Sequence, residues 1–132
     1  MRAAVIHSLG GGPTVEEFPD PAPEDDVAEV VAAPLNPVDL IIVAGQMPFR
    51  KASPPFVAGV EGIFRNKLVG ILPHTNWSFS AAERAAAFEQ LAAYAQSGAL
   101  RLDVERVPLD DAASAWTRLA TGTATRKLVI VP

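Results

Sequence analysis

The stretch Pro55-Phe56-Val57-Ala58-Gly59-Val60-Glu61-Gly62-Ile63-Phe64-Arg65-Asn66-Lys67-Leu68-Val69-Gly70 decides how this chain is organised, because two differently built blocks meet inside it. Upstream, residues 2–7 read as a strand that runs into the turn Gly10-Gly11-Gly12-Pro13, with Thr14 to Phe18 returning and Val27 to Ala33 forming a third strand. Asn36-Pro37 reads as a helix cap followed by proline at the first helical position, which opens a short helix ending at Gly45. Met47 to Pro55 is loop, punctuated by Pro48, Pro54 and Pro55. Downstream, Lys67 to Leu72 reads as a short apolar strand. Ser80-Ala81-Ala82-Glu83 is a capping box for a helix that aligns Phe88, Leu91, Ala92 and Ala95 and stops at Gly98. Leu100 to Val107 alternates as a strand. Asp110 caps a second long helix carrying Ala112, Trp116, Leu119 and Ala120 on one face, Gly122 ends it, and Lys127 to Val131 is a last strand. Strands and helices in this arrangement predict an α+β fold with two or three helices. No internal repeat interrupts it.

The 132 residues suit one domain, 1–132, made of an N-terminal block 1–62 and a C-terminal block 65–132 joined through Ile63-Phe64. Apolar residues make up 49% of the chain and charged ones 20%, a globular balance. A net charge of −4 argues against nucleic-acid binding, which needs a basic face to displace phosphate counterions. The absence of cysteine excludes disulfides, a thiolate nucleophile and cysteine-ligated metal. No apolar run approaches the ~20 residues of a bilayer span, and Met1 to His7 is too short for a signal segment, so a cytoplasmic location is expected. Charge is uneven. No Lys or Arg lies between Ala3 and Phe49, where the eight acids include Glu16, Glu17, Asp20 and Asp39, whereas ten basic residues follow from Arg50 onward. The proline-punctuated acidic segment reads as a solvated connector, with a docking face as the alternative.

Two blocks resemble a known family. Asn36-Pro37-Val38-Asp39, Ala44-Gly45-Gln46-Met47-Pro48 and Pro55-Phe56-Val57-Ala58-Gly59-Val60-Glu61-Gly62 resemble the start of the GroES-like catalytic domain of zinc-independent medium-chain dehydrogenases/reductases, the quinone oxidoreductase branch. Arg65-Asn66-Lys67-Leu68-Val69-Gly70 through Arg126-Lys127-Leu128-Val129-Ile130-Val131-Pro132 resembles the end of the same proteins. The resemblance implies a reduced GroES-like β-barrel or sheet, and also implies that the dinucleotide-binding domain normally lying between these blocks is missing. A Rossmann site needs a βαβ unit of ~30 residues with G-x-G-x-x-G, a spacing that the glycines at 10–12, 45, 59, 62, 70, 98 and 122 do not supply. No nucleotide cofactor is therefore expected. Metal is not expected either, since His7 and His74 are the only histidines and the family's zinc cysteines have no counterpart. The unclosed strand edges predict a homodimer, with the strand from Lys67 near the interface by resemblance.

Several residues are candidates for chemistry. His74, in Pro73-His74-Thr75-Asn76-Trp77, sits just past a predicted strand; there it would serve as an acid/base group beside Asn76 and Trp77, or simply as an exposed loop histidine. Glu61 is either a buried general acid/base or a backbone hydrogen-bonding group. Asn36 and Asp39 lie near the old nicotinamide pocket by resemblance, although Asn36 is equally explained as a helix cap. Met47 stands where the family often has tyrosine, which makes the pocket mouth more apolar. Tyr94 falls off the helix stripe and is expected to be partly exposed, and Trp116 reads as core. Arg50-Lys51 and Arg65-Lys67 would grip an anion or form a solvated rim.

Without a nucleotide site, no side chain of the chain can donate a hydride. The leading expectation is a cofactor-free enzyme doing acid/base chemistry (isomerase, cyclase or dehydratase type) on a small conjugated carbonyl or quinone-like compound. His74, Glu61 and Asp39 would be catalytic, with Asn36, Met47, Asn76, Trp77 and Tyr94 binding the substrate. The alternatives are a non-catalytic ligand-binding or regulatory protein and a shortened NADPH-dependent quinone oxidoreductase.

Overall fold

The computed structural model describes residues 1–22, 29–47, 51–64, 67–70 and 80–132, with 61–64 and 67–70 described through the backbone. Eight strands and three α-helices form two small sheets, an α+β arrangement that does not close into a barrel among the described residues. The first sheet has the order β2-β1-β4, from β1 (Arg2–Ile6), β2 (Thr14–Glu17) and β4 (Phe56–Val57). All its pairs are antiparallel, with Arg2 opposite Glu17, Val5 opposite Thr14 and Ile6 opposite Phe56. The strand read from the N-terminal run is present, with Ala3, Val5 and Ile6 buried and Arg2 exposed.

The second sheet has the order β6-β5-β3-β8-β7. Its strands are β3 (Val30–Pro34), β5 (Glu61–Phe64), β6 (Lys67–Gly70), β7 (Val104–Pro108) and β8 (Lys127–Val131). β3 shares its length between two neighbours, pairing Val30 and Ala32 with β5, with a register shift between those two residues, and Ala33 and Pro34 with β8. Ile63 and Phe64 are thus the end of β5 rather than a separate link, and Phe64 pairs directly with Lys67 of β6. β7 and β8 are parallel, from Val104 opposite Lys127 to Pro108 opposite Val131. Parallel neighbours need a crossover, which α3 (Ala112–Ala120) supplies.

α1 (Pro37–Val43) begins where the Asn36-Pro37 pair predicts and ends at Gly45, whose φ of +71° suits glycine. The glycine loop after β1 turns back to hold this helix: the Gly10 N–H donates to the Val43 carbonyl at 2.7 Å, satisfying one of the carbonyls a helix end leaves open. α2 (Ala81–Gln96) starts with the expected capping box, the Ser80 N–H donating to Glu83 at 2.7 Å and the Glu83 N–H to Ser80 Oγ at 3.3 Å. No residue of α2 is buried; Phe88 is 56% and Leu91 53% exposed. The apolar stripe read from its sequence faces open space in this chain.

The core gathers Ile6, Leu35, Val43, Val107, Ala115, Trp116, Leu128 and Ile130 between the first sheet, α3 and β8. Each large side chain there removes enough apolar surface from water to contribute about 1.5–3 kcal/mol. Two boundaries differ from the sequence reading. The strand expected from Leu100 starts at Val104. The helix expected to be capped by Asp110 is preceded by a 3-10 turn, Leu109–Asp111, which moves the cap position to Asp111. Asp110 instead pairs with the Arg2 guanidinium, so a long-range ion pair displaces a local cap. β4 and β5 do not stand out from loop in the sequence, because two to four residues carry too little pattern. Val27 and Ala28 of the expected third strand, and Ile71 and Leu72 beyond β6, lie outside the described residues.

Candidate functional site

Asn36-Pro37-Val38-Asp39 builds one corner of the candidate site. Asp39 occupies the third position of α1 and is 2% exposed, the one charged side chain in the core of the described residues. Its Oδ2 accepts the Asn36 N–H at 2.7 Å, an arm of a capping box. Asn36 is fixed in turn from the other side of the molecule, its Oδ1 accepting from the Lys127 ammonium of β8. This chain of contacts ties the start of the helix to the last strand and sets the carboxylate in place.

Asp39 opens onto a cavity of about 260 Å³. Ile42, Phe56 and Val60 give it apolar walls, and Lys51 and Ser53 add an ammonium and a hydroxyl to its lining. A carboxylate, an ammonium and a hydroxyl around an apolar hollow can together hold a carbonyl compound and exchange protons with it. The sequence singled out Asp39 from its motif and Lys51 from a basic pair. It missed Ser53, Phe56 and Val60, which line the same cavity from a stretch without periodicity.

The other expected site residues are not gathered here. Met47 is half-buried beyond the end of α1 and is not part of the cavity lining. Tyr94 is 46% exposed on α2, with its hydroxyl accepting from Gln90 Nε2 at 3.0 Å. Glu61 is a backbone member of β5, next to the cavity residue Val60, and its side chain lies outside the description. His74, Asn76 and Trp77 lie outside the described residues, as do Arg50 and Arg65. Trp116 is core, as its stripe predicts.

Residues 5–130 match the family model of the zinc-binding dehydrogenases, and the chain belongs to that family. The medium-chain dehydrogenase/reductase resemblance carried by the Asn36 and Gly59 motifs stands at this level. An alcohol dehydrogenase of Moraxella sp. (strain TAE123) is 38% identical over 65 residues, which make up 48% of this chain and 19% of that protein. The solved quinone oxidoreductase from Thermus thermophilus, described also in complex with NADPH, aligns with a TM-score of 0.43 at 24% identity over 92% of this chain and 51% of that one. The chain spans about a fifth of the length of the curated relative and about half that of the solved structure.

The family name implies zinc, and the donor set does not fit it. The chain has no cysteine, and no group of three or more His, Asp or Glu among the described residues is placed to hold a metal ion. His7 is engaged at the edge of the first sheet, its Nε2 lying 2.9 Å from Glu16. The β7-α3-β8 crossover is a βαβ unit, but its turn, Pro108-Leu109-Asp110-Asp111, has no glycine and sets two carboxylates where a diphosphate would meet the helix. Like charges there oppose phosphate binding. No described helix is long and apolar enough to cross a membrane.

Proposed function

We propose that this member of the zinc-binding dehydrogenase family works without a dinucleotide of its own, doing acid/base chemistry on a small conjugated carbonyl or quinone-like compound. The reading is supported above all by the cavity whose lining includes the buried residue Asp39 together with Lys51, Ser53 and apolar side chains. Ile42, Phe56 and Val60 would take up a ring or conjugated chain. The Lys51 ammonium would donate toward oxygen as enolate charge develops, and Asp39 would accept or return a carbon-bound proton, a transfer that typically contributes ~10²–10⁴-fold. Glu61 and His74 are kept in the proposal as further acid/base groups, and Asn76 and Trp77 as substrate-binding ones, on the motif reading of the sequence alone. The products would be those of an isomerase, cyclase or dehydratase.

One observation favours a second reading, a non-catalytic binding or regulatory domain: Asp39 already holds α1 through the Asn36 N–H. The third, a shortened NADPH-dependent oxidoreductase, has against it the acidic turn before α3. The experiment is proton exchange of cyclohex-2-enone in D2O without nucleotide, followed by NMR. Enzyme-dependent loss of the γ-proton signal, abolished in Asp39→Asn, His74→Ala or Glu61→Ala chains that keep their circular dichroism, is the expected result. Binding without exchange selects the second reading, and hydride transfer from added NADPH selects the third. A cytoplasmic homodimer paired through β6, the outermost described strand of its sheet, goes with the proposal.

A further inference from the structure

We propose that the apolar groove between the two sheets is a second binding site, separate from the Asp39 cavity, for a neutral hydrophobic molecule the size of one or two rings. The groove holds about 260 Å³ and is walled by Ala33, Leu35, Val60, Leu109, Trp116 and Ile130. Ala3, Ala4, Ala33 and Ala112 contribute small side chains where longer ones would fill the space. A cavity of about 150 Å³ lined by aliphatic and aromatic side chains stays dry and accepts benzene, so this larger one takes a substituted or fused ring. Trp116 supplies a flat aromatic surface in the wall, suited to offset stacking.

Charge decides the class of ligand. The two cationic groups at the rim are both engaged, the Arg2 guanidinium with Asp110 and the Met1 ammonium with Asp20 at 2.7 Å. An anion entering the groove would have to break one of these pairs, and a cation would give up hydration among apolar walls where the Pro132 carboxylate is the one anionic group of the described lining residues. A neutral molecule meets neither cost.

Val57, Gly59 and Val60 line this groove and the Asp39 cavity alike, so a single short segment divides the two hollows. Gly59 sits at φ +119°, a conformation that disfavours any side chain, and a Cβ placed there would meet nothing within 4 Å.

The test is titration of the full chain with the uncharged two-ring dye prodan, 6-propionyl-2-(dimethylamino)naphthalene, in a Trp77→Phe background, where Trp116 is the sole tryptophan. The expected result is saturable binding of one dye per chain, with energy transfer from Trp116 and little dependence on salt. Ala33→Leu and Ala4→Leu, which fill the groove, should each weaken binding at least tenfold, while Asp39→Asn leaves it intact. Absence of saturable binding or of transfer from Trp116 in the parent chain overturns the proposal, whether or not the fill-in variants fold. So does unchanged affinity in a folded fill-in variant. Loss of dye as light scattering reports a rising dimer fraction would assign the groove to a second copy, and overturns it as well.

Discussion

At the scale of single residues, Trp116 and Asp39 carry opposite kinds of information. Trp116 is 6% exposed and joins the first sheet, α3 and β8 in one cluster. Replacing it by alanine removes an indole that no neighbour can replace, and a loss of about 3–5 kcal/mol in urea unfolding is expected. A loss below about 1 kcal/mol would mean that the groove side of the core is already slack. Asp39 is where the sequence and the fold agree on the residue but differ on the reason. The motif Asn-Pro-Val-Asp pointed to it by resemblance, and the structure adds a local one, the capping arm to Asn36. Asp39→Asn preserves an acceptor oxygen for that arm, so a cost near ~1 kcal/mol in stability, together with loss of proton exchange, separates chemistry from support. If Asp39→Asn and Asp39→Ala lose stability equally, the capping arm is not what the carboxylate contributes.

At the scale of elements, α3 and β7 are fastened by a bidentate pair, Arg118 Nη1 to Glu105 Oε1 at 2.6 Å and Nη2 to Oε2 at 2.7 Å. The guanidinium hydrogen bonds hold the Glu105 carboxyl below its usual range, against the opposing pull of desolvation. A carboxyl whose pKa is lowered on folding stabilises the fold above its unfolded pKa, and that contribution fades as pH falls through the unfolded and then the folded value. Thermal unfolding should therefore weaken below about pH 5, and Glu105→Gln should flatten that acid limb while leaving the rest of the profile lower and parallel. An unchanged acid limb in Glu105→Gln would place the titrating group elsewhere. α2 behaves differently: its capping box is formed, with Glu83 held below the ordinary carboxyl range by Ser80, yet it buries nothing. Local opening is then easy, and its amides should exchange with solvent well before those of α3 and β8 in hydrogen-exchange measurements. Matching protection would show that something covers α2 in solution.

The same elements show what the sequence could yield. Long periodic pieces with local caps were legible: α1 from Asn36-Pro37, α2 from Ser80 to Glu83, α3 up to Gly122, and β8. What escaped were features set by distant partners. Asp110 left its expected cap for Arg2, 108 positions away, and β3 divides its hydrogen bonds between β5 and β8. The candidate site divides in the same way. Asp39 and Asn36 belong to one motif and were legible, whereas Ser53, Phe56 and Val60 line the cavity from a stretch that has no periodicity.

At the scale of the whole molecule, the proposal rests on a family domain with an apolar-walled cavity lined by Asp39 and with an acidic, glycine-free turn in its β7-α3-β8 crossover. The measurement that tests it most directly is calorimetric titration of the intact chain with NADPH at low ionic strength, where an anionic cofactor is favoured most. The account expects no saturable heat up to about 1 mM, that is, binding weaker than about 4 kcal/mol. One NADPH per chain at a micromolar dissociation constant would contradict it.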